Sequence, residues 1–138
     1  MSDTDFPQEV PGAVELFAWF GGWPSFHDGE VLSLFLNRAG TSFLRIHTSR
    51  MTRSLDSNGN YVLEKHCVVT FSFEEIAGVD IGGFNAQNVI FGLTLNKVES
   101  GYKLQLDPCY GLAGFLVGTG LGISFEPGLP SQIRGTSV

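Results

Sequence analysis

From Glu30 to Phe125 apolar and polar residues alternate with a period of two. In EVLSLFLNR, Leu32, Leu34 and Leu36 point one way, with Ser33 and Asn37 opposite. In SFLRIHTSR, Leu44 and Ile46 oppose Arg45, His47 and Ser49. LEKHCVVTFSFEE sets Leu63, Cys67, Val69, Phe71 and Phe73 against Glu64, His66, Thr70 and Ser72. NVIFGLTLNKV sets Val89, Phe91, Leu93 and Leu95 against Gly92, Thr94 and Asn96. Such alternation marks strands with one buried and one polar face, the habit of antiparallel sheets. Turn signals separate the segments: Asn37 to Gly40, then Ser57-Asn58-Gly59-Asn60, then Glu99-Ser100-Gly101. Asn58-Gly59 is the sharpest hairpin cue among them.

YKLQLDP forms a further strand, which Pro108 should end, because proline cannot donate to the ladder. GFLVGTGLGISFEP reads as the last one, with Phe115, Val117, Thr119, Leu121, Ile123 and Phe125 on one face. Gly118, Gly120, Gly122 and Ser124 take the opposite face, leaving it nearly bare. A bare face weakens a strand unless something lies close against it. Large aromatics or a helix from within the chain, a sharp curl of the sheet, or a docked partner would each account for it.

Ahead of the strands, PGAVELFAWF predicts a short helix, with Pro11 at the first position and Gly21-Gly22 as its stop. Val14, Phe17 and Ala18 share one stripe. Leu16, Trp19 and Phe20 make the helix apolar almost all round, so it should be buried or lie at an interface. The pattern predicts one α+β domain over residues 1–138, mainly β: a twisted antiparallel sheet of about six strands with the short helix packed on it. Residues 1–10 and 129–138 read as flexible tails.

Composition supports a folded core. The 138 residues are 43% hydrophobic and only 16% charged, the reverse of a disordered chain. Twelve phenylalanines and eighteen glycines together favour strands joined by tight turns. A net charge of −6 opposes binding to phosphate backbones and would steer the protein toward a basic partner. No apolar run approaches the ~20 residues of a membrane span, and MSDTDFPQEVPG lacks the basic and apolar parts of a secretory signal. Cys67 and Cys109 have no CxxC spacing and read as free thiols of a cytoplasmic protein.

Candidate chemistry concentrates in WPSFHDGEV, Trp23 to Val31. His27 beside Asp28 could form a general base or contribute metal ligands with Glu30. In an extended chain, however, neighbours point to opposite sides, and Asp28-Gly29 with Ser25 equally suits a hydrogen-bonded bend. His47 and His66 both fall on polar faces. A hairpin register pairing residues whose numbers sum to about 114 sets them diagonally adjacent. With His27 they could make a three-histidine metal site. No nucleophile or phosphate-loop motif is present, and GTGLG lies inside a strand rather than opening a helix. Asn85, Gln87 and Asn88 suit a role in satisfying backbone groups at a strand entry, and Tyr110 beside Cys109 suits turn packing.

Trp23 with SFHDGEV and the strand after it, GFNAQNVIFGL in mid-chain and LDPCYGLAGF near the end together resemble the bacterial Immunity protein 50 family of polymorphic-toxin systems. The likeness spans roughly residues 19–125, and WPSFHDGEV is its most specific part. It implies a non-catalytic protein that neutralises a cognate toxin by binding it, without cofactor. Acidic balance would suit a basic toxin. Trp23, His27, Asp28 and Glu30 are then the candidate binding residues. The competing expectation is a small-ligand or metal-binding β-sheet protein using His27, His47 and His66. A homodimer joined through the helix or the glycine face is compatible with either.

Overall fold

A computed structural model describes residues 6–132. Helix α1 (Ala13–Phe20) precedes eight strands: β1 (Glu30–Phe35), β2 (Ser42–Leu55), β3 (Tyr61–Phe73), β4 (Glu75–Gly82), β5 (Val89–Val98), β6 (Gly101–Tyr110), β7 (Ala113–Thr119) and β8 (Gly122–Pro127). All pair antiparallel in one sheet of order β4-β7-β6-β5-β1-β2-β3-β8. The fold is thus mainly β with one short helix, as the alternation predicts, but with eight strands rather than about six.

Two features account for the difference. GVDIG and its flanks form β4, whose alternation is interrupted by a bulge between Ile76 and Gly78. The supposed single last strand is two: it breaks at Gly120, which has φ +66°. β7 goes on to pair with β4 and β6, whereas β8 pairs with β3. Only Glu74 separates β3 from β4, although β4 begins the strand order and β3 lies near its other end. The sheet therefore curls until its two ends meet at this corner, where the Glu74 amide donates to the Thr119 carbonyl at 2.9 Å.

The glycines serve that corner. A Cβ on Gly118 would collide with the Glu75 carbonyl and the Phe73 ring, and one on Gly120 with the Glu74 side chain. The chain's own residues 72–75 thus occupy the bare surface. The glycines also do not share one face, because the core side shifts from Leu116 and Gly118 in β7 to Leu121 and Ile123 in β8. Phe115, expected inward, lies on the other side beneath Lys103, whose Nζ is 4.4 Å from the ring centroid.

Bulges correct the predicted phase elsewhere. One in β1 between Val31 and Ser33 lets Val31 face Ile46 and Leu34 face Leu44, so the inward pair is not Leu32 and Leu36. One in β5 turns Phe91 out, where it is 61% exposed, while Ile90 is fully buried. β6 runs past Pro108 to Tyr110, because proline sits at that irregular register, where a ladder donor is dispensable. Cys109 and Tyr110 are therefore exposed strand residues and not part of a packed turn.

Inside the curl, α1 buries Ala13, Leu16 and Phe20, not the Val14-Phe17-Ala18 stripe; Val14 is 52% exposed. The helix starts later than Pro11 because Gly12 is its N-cap, at φ +90°. Pro11 instead accepts from the Ile123 amide at 2.8 Å, which fastens the helix entry to β8. A side chain on Gly12 would strike the Ile123 carbonyl. Gly21 ends the helix in the left-handed region, with its amide on the Phe17 carbonyl at 3.0 Å, as predicted. Residues 6–10, expected as part of a tail, are packed: Phe6 stacks on Phe17 at 4.4 Å and Val10 is 3% exposed. Residues 1–5 and 133–138 lie outside the described residues, and Pro130–Gln132 forms a 3-10 turn. Phe26, Phe71 and Phe73 anchor the core, each worth roughly 2–3 kcal/mol of burial.

Candidate binding site

WPSFHDG forms a left-handed bend at the thinnest joint of the sheet. β1 and β5 share one register pair, Glu30 with Val89, so the bend supplies the missing bonds. The Asp28 amide donates to the Ile90 carbonyl at 3.0 Å, the Ile90 amide to the Gly29 carbonyl at 2.9 Å, and the Val31 amide to the Asn88 carbonyl at 2.8 Å. Phe26 and Asp28 both take positive φ, 60° and 62°. For a ring as bulky as Phe26 this is true strain, costing of order 1–3 kcal/mol. The ring offsets it by full insertion into the core against Phe71, 5.6 Å between centroids. Gly29 is tightly enclosed, since a Cβ would sit 3.0 Å from the Phe26 carbonyl and 3.1 Å from Ile46.

The stretches WPSFHDGEV, GFNAQNVIFGL and LDPCYGLAGF meet here. Asn88, only 2% exposed, is their hub. Its Oδ1 accepts from the Asn85 amide at 2.8 Å and from the Leu112 amide at 3.0 Å, and its Nδ2 donates to the Asn85 carbonyl at 2.8 Å. Its carbonyl takes Val31, and Gly111 lies flush on it with φ +86°. The backbone-satisfying role read from the Asn-rich stretch holds for Asn88 and Asn85.

The strained turn sends its polar residues outward. His27 and Asp28 side chains are 49% and 64% exposed, and the turn brings His27 Nε2 within 3.6 Å of Asp28 Oδ2. His27 Nδ1 is 3.0 Å from the Phe91 carbonyl, and its ring meets the Phe91 ring edge-on at 5.0 Å. Nδ1 donates to that carbonyl, and Nε2 faces the Asp28 carboxylate.

Trp23 goes the other way. It packs on Phe6 and Phe26 and, with Phe6, Leu93, Leu95 and Tyr102, lines an open cavity of about 650 Å³ on the helix side. Of the four predicted binding residues, His27 and Asp28 line one cavity, Glu30 is the ladder partner of His47 in that cavity's wall, and Trp23 lines another cavity.

His27 and Asp28 line a second cavity, about 260 Å³, with Ser25, His47, Thr48, Ser49, Met51 and Leu63. His47 Nε2 lies 3.1 Å from His66 Nδ1, their ring planes 13° apart and centroids 5.2 Å apart. The hairpin register predicts this neighbourhood. A bulge near Lys65, whose φ is +55°, preserves it by keeping Leu63 and His66 on one face. Burial, and then the positive charge of His66, lower the His47 pKa below its ordinary value. Among the described residues no three His, Cys, Asp or Glu side chains gather to hold a metal, so the three histidines do not form one three-point set.

Sequence reasoning missed the apolar rim of this cavity. β1 accompanies β2 only from Phe43 to His47, and β8 accompanies β3 only from Cys67 to Ser72. Beyond, the hairpin continues as a two-stranded ribbon. There Met51 faces Leu63 and Leu55 faces Tyr61, all four 47–61% exposed. Tyr61 and Leu63 are two apart on β3 and so share a face, and Leu63 and Met51 reach the His27 cavity. The signal was available as apolar residues flanking the Asn58-Gly59 turn, but nothing local says that no layer covers them. No helix among the described residues is long and apolar enough to cross a membrane. Comparison of the chain with protein-family models, curated proteins and solved structures finds no match.

Proposed function

We propose that the chain is a non-catalytic binding protein of the immunity type, which neutralises a cognate protein toxin by stoichiometric occlusion. The observation that carries this reading is the surface running from His27, Asp28 and Phe91 through the cavity to Met51, Leu63, Leu55 and Tyr61. A strained bend displays its polar end, and its apolar end is larger than a solitary exposed side chain requires. Apolar anchors with a polar margin are the anatomy of a protein-docking site. The likeness to Immunity protein 50 points the same way. The net charge of −6 favours a basic toxin, through faster encounter rather than tighter contact.

The test is a purified mixture with the product of the neighbouring gene, followed by light scattering on a sizing column. A one-to-one complex is expected. His27→Ala and Leu63→Asp should each weaken it by about tenfold or more, as hot-spot residues do, with the melting temperature of the free chain unchanged for Leu63→Asp. Absence of a complex, or full affinity in both variants, would sink the reading.

A further inference from the structure

We propose that His47 and His66 form a two-point clamp for one divalent late transition-metal ion, zinc, nickel or copper, at the root of the β2–β3 ribbon. This inference stands apart from toxin binding. It rests first on distance. Two imidazole nitrogens bonded to the same zinc at about 2.0–2.1 Å with near-tetrahedral geometry lie about 3.3 Å apart. His47 Nε2 and His66 Nδ1 are already 3.1 Å apart. It rests next on direction. The ring planes differ by 13° and the centroids by 5.2 Å, which exceeds the N···N distance by nearly both ring radii. The rings therefore meet edge to edge in almost one plane, with these two nitrogens turned toward each other and not stacked face over face.

Without metal, one hydrogen bridges the two nitrogens. An ion takes that place when the bridging hydrogen moves to the outward nitrogen of the same ring through solvent, so both rings remain neutral ligands. The surroundings suit this exchange. His47 is half-buried, and its ladder partner on β1 is Glu30. Val68, next to His66 and opposite Glu126 on β8, is buried and holds that strand in place. His47 also lines the 260 Å³ cavity, which gives that ring access to solvent. Imidazole pairs select zinc, nickel and copper over magnesium or calcium, which demand oxygen ligands.

The experiment uses the full chain, purified without a histidine tag, and titrates it with zinc chloride in a calorimeter. One-to-one saturable binding is expected, weakened about tenfold or more in His47→Gln and in His66→Gln, with circular dichroism reporting that each variant is folded. Ring-nitrogen NMR of the unmutated chain gives a readout independent of those variants. Zinc should shift the His47 and His66 signals together and leave those of His27 in place. No saturable binding, wild-type affinity in both variants, or a zinc-induced shift confined to His27 would each overturn the clamp.

Discussion

Strands β2 and β3 run side by side from Ser42–Phe73 at one end to Leu55–Tyr61 at the other, in two very different surroundings. At the root, Leu44, Ile46, Cys67, Val69, Phe71 and Phe73 are fully buried, with β1 and β8 extending the sheet on both sides and α1 over it. In the ribbon, Met51, Leu55, Tyr61 and Leu63 are similarly apolar and similarly paired across strands, yet about half exposed. Period-two patterning shows that a strand has an apolar face. In the ribbon, the bulge near Lys65 turns Leu63 and its partner Met51 to the His47–His66 side of the sheet, away from the helix, and β1 and β8 stop short at His47 and Pro127. An isolated two-stranded ribbon is marginal in water. This one is held by its root and by contacts toward the helix, where Arg50 Nη1 donates to the Phe20 carbonyl at 3.4 Å and Lys65 Nζ lies 4.8 Å from the Trp19 ring centroid.

The largest test of this contrast is a matched pair of truncations. Phe71→Ala should lower unfolding free energy by about 3–5 kcal/mol, whereas Leu63→Ala should change it by no more than about 0.5 kcal/mol. Urea denaturation followed by tryptophan fluorescence measures both. Equal losses would mean that the ribbon is part of the core after all.

A smaller effect should appear with pH at the boundary between the two regions. The folded pKa of His47 lies below its unfolded value near 6.5, so the unfolded chain takes up the proton more readily. The His47 contribution to stability is therefore complete above 6.5. It falls as pH drops from there through the folded pKa, and is constant below that. His66→Gln removes the smaller of the two causes and should narrow the window without closing it, because burial is the larger. Melting temperatures between pH 7.5 and pH 5 would show it; a stability that rises on acidification would contradict the assignment.

The smallest is a difference in reactivity that leaves stability untouched. Burial pushes the Cys67 thiol up to about 12, while Cys109 is exposed. Thiolate is the reactive form, so a native chain should label rapidly at one thiol, Cys109, and at both once unfolded. Rapid labelling of Cys67 in the native chain would show that the root opens as easily as the ribbon.

Much of this arrangement was legible in the residues. Val69 to Phe73 alternate without interruption, and both the strand and its inward face follow from that. The Asp56–Asn60 turn, closed by Asp56 Oδ1 on the Asn58 and Asn60 amides at 2.8 and 3.0 Å, fixes the register that joins His47 to His66. What escaped were positions where one extra residue shifts the phase, at Leu32, Phe91 and Lys65, since a bulge leaves no mark in a period-two pattern. β4 escaped because a bulge between Ile76 and Gly78 breaks its alternation and its strand neighbour among the described residues, β7, is distant in sequence. The site divided for a similar reason. WPSFHDG crosses from one side of the sheet to the other, and adjacent letters cannot tell that Trp23 and His27 end on opposite sides. That geometry depends on two left-handed non-glycine residues, Phe26 and Asp28, which no local preference predicts.

The one-residue link at Glu74 has a consequence for how the molecule is made. β4 leaves the ribosome long before β7, its strand neighbour, and β3 likewise waits for β8. During translation both keep a row of open amides and carbonyls that only residues 113–127 can close. Synthesis of that late segment is thus the committing event. A chain stalled at Tyr110 would leave β3 and β6 as open sheet edges and β4 unpaired, and should aggregate instead of pausing as a soluble intermediate.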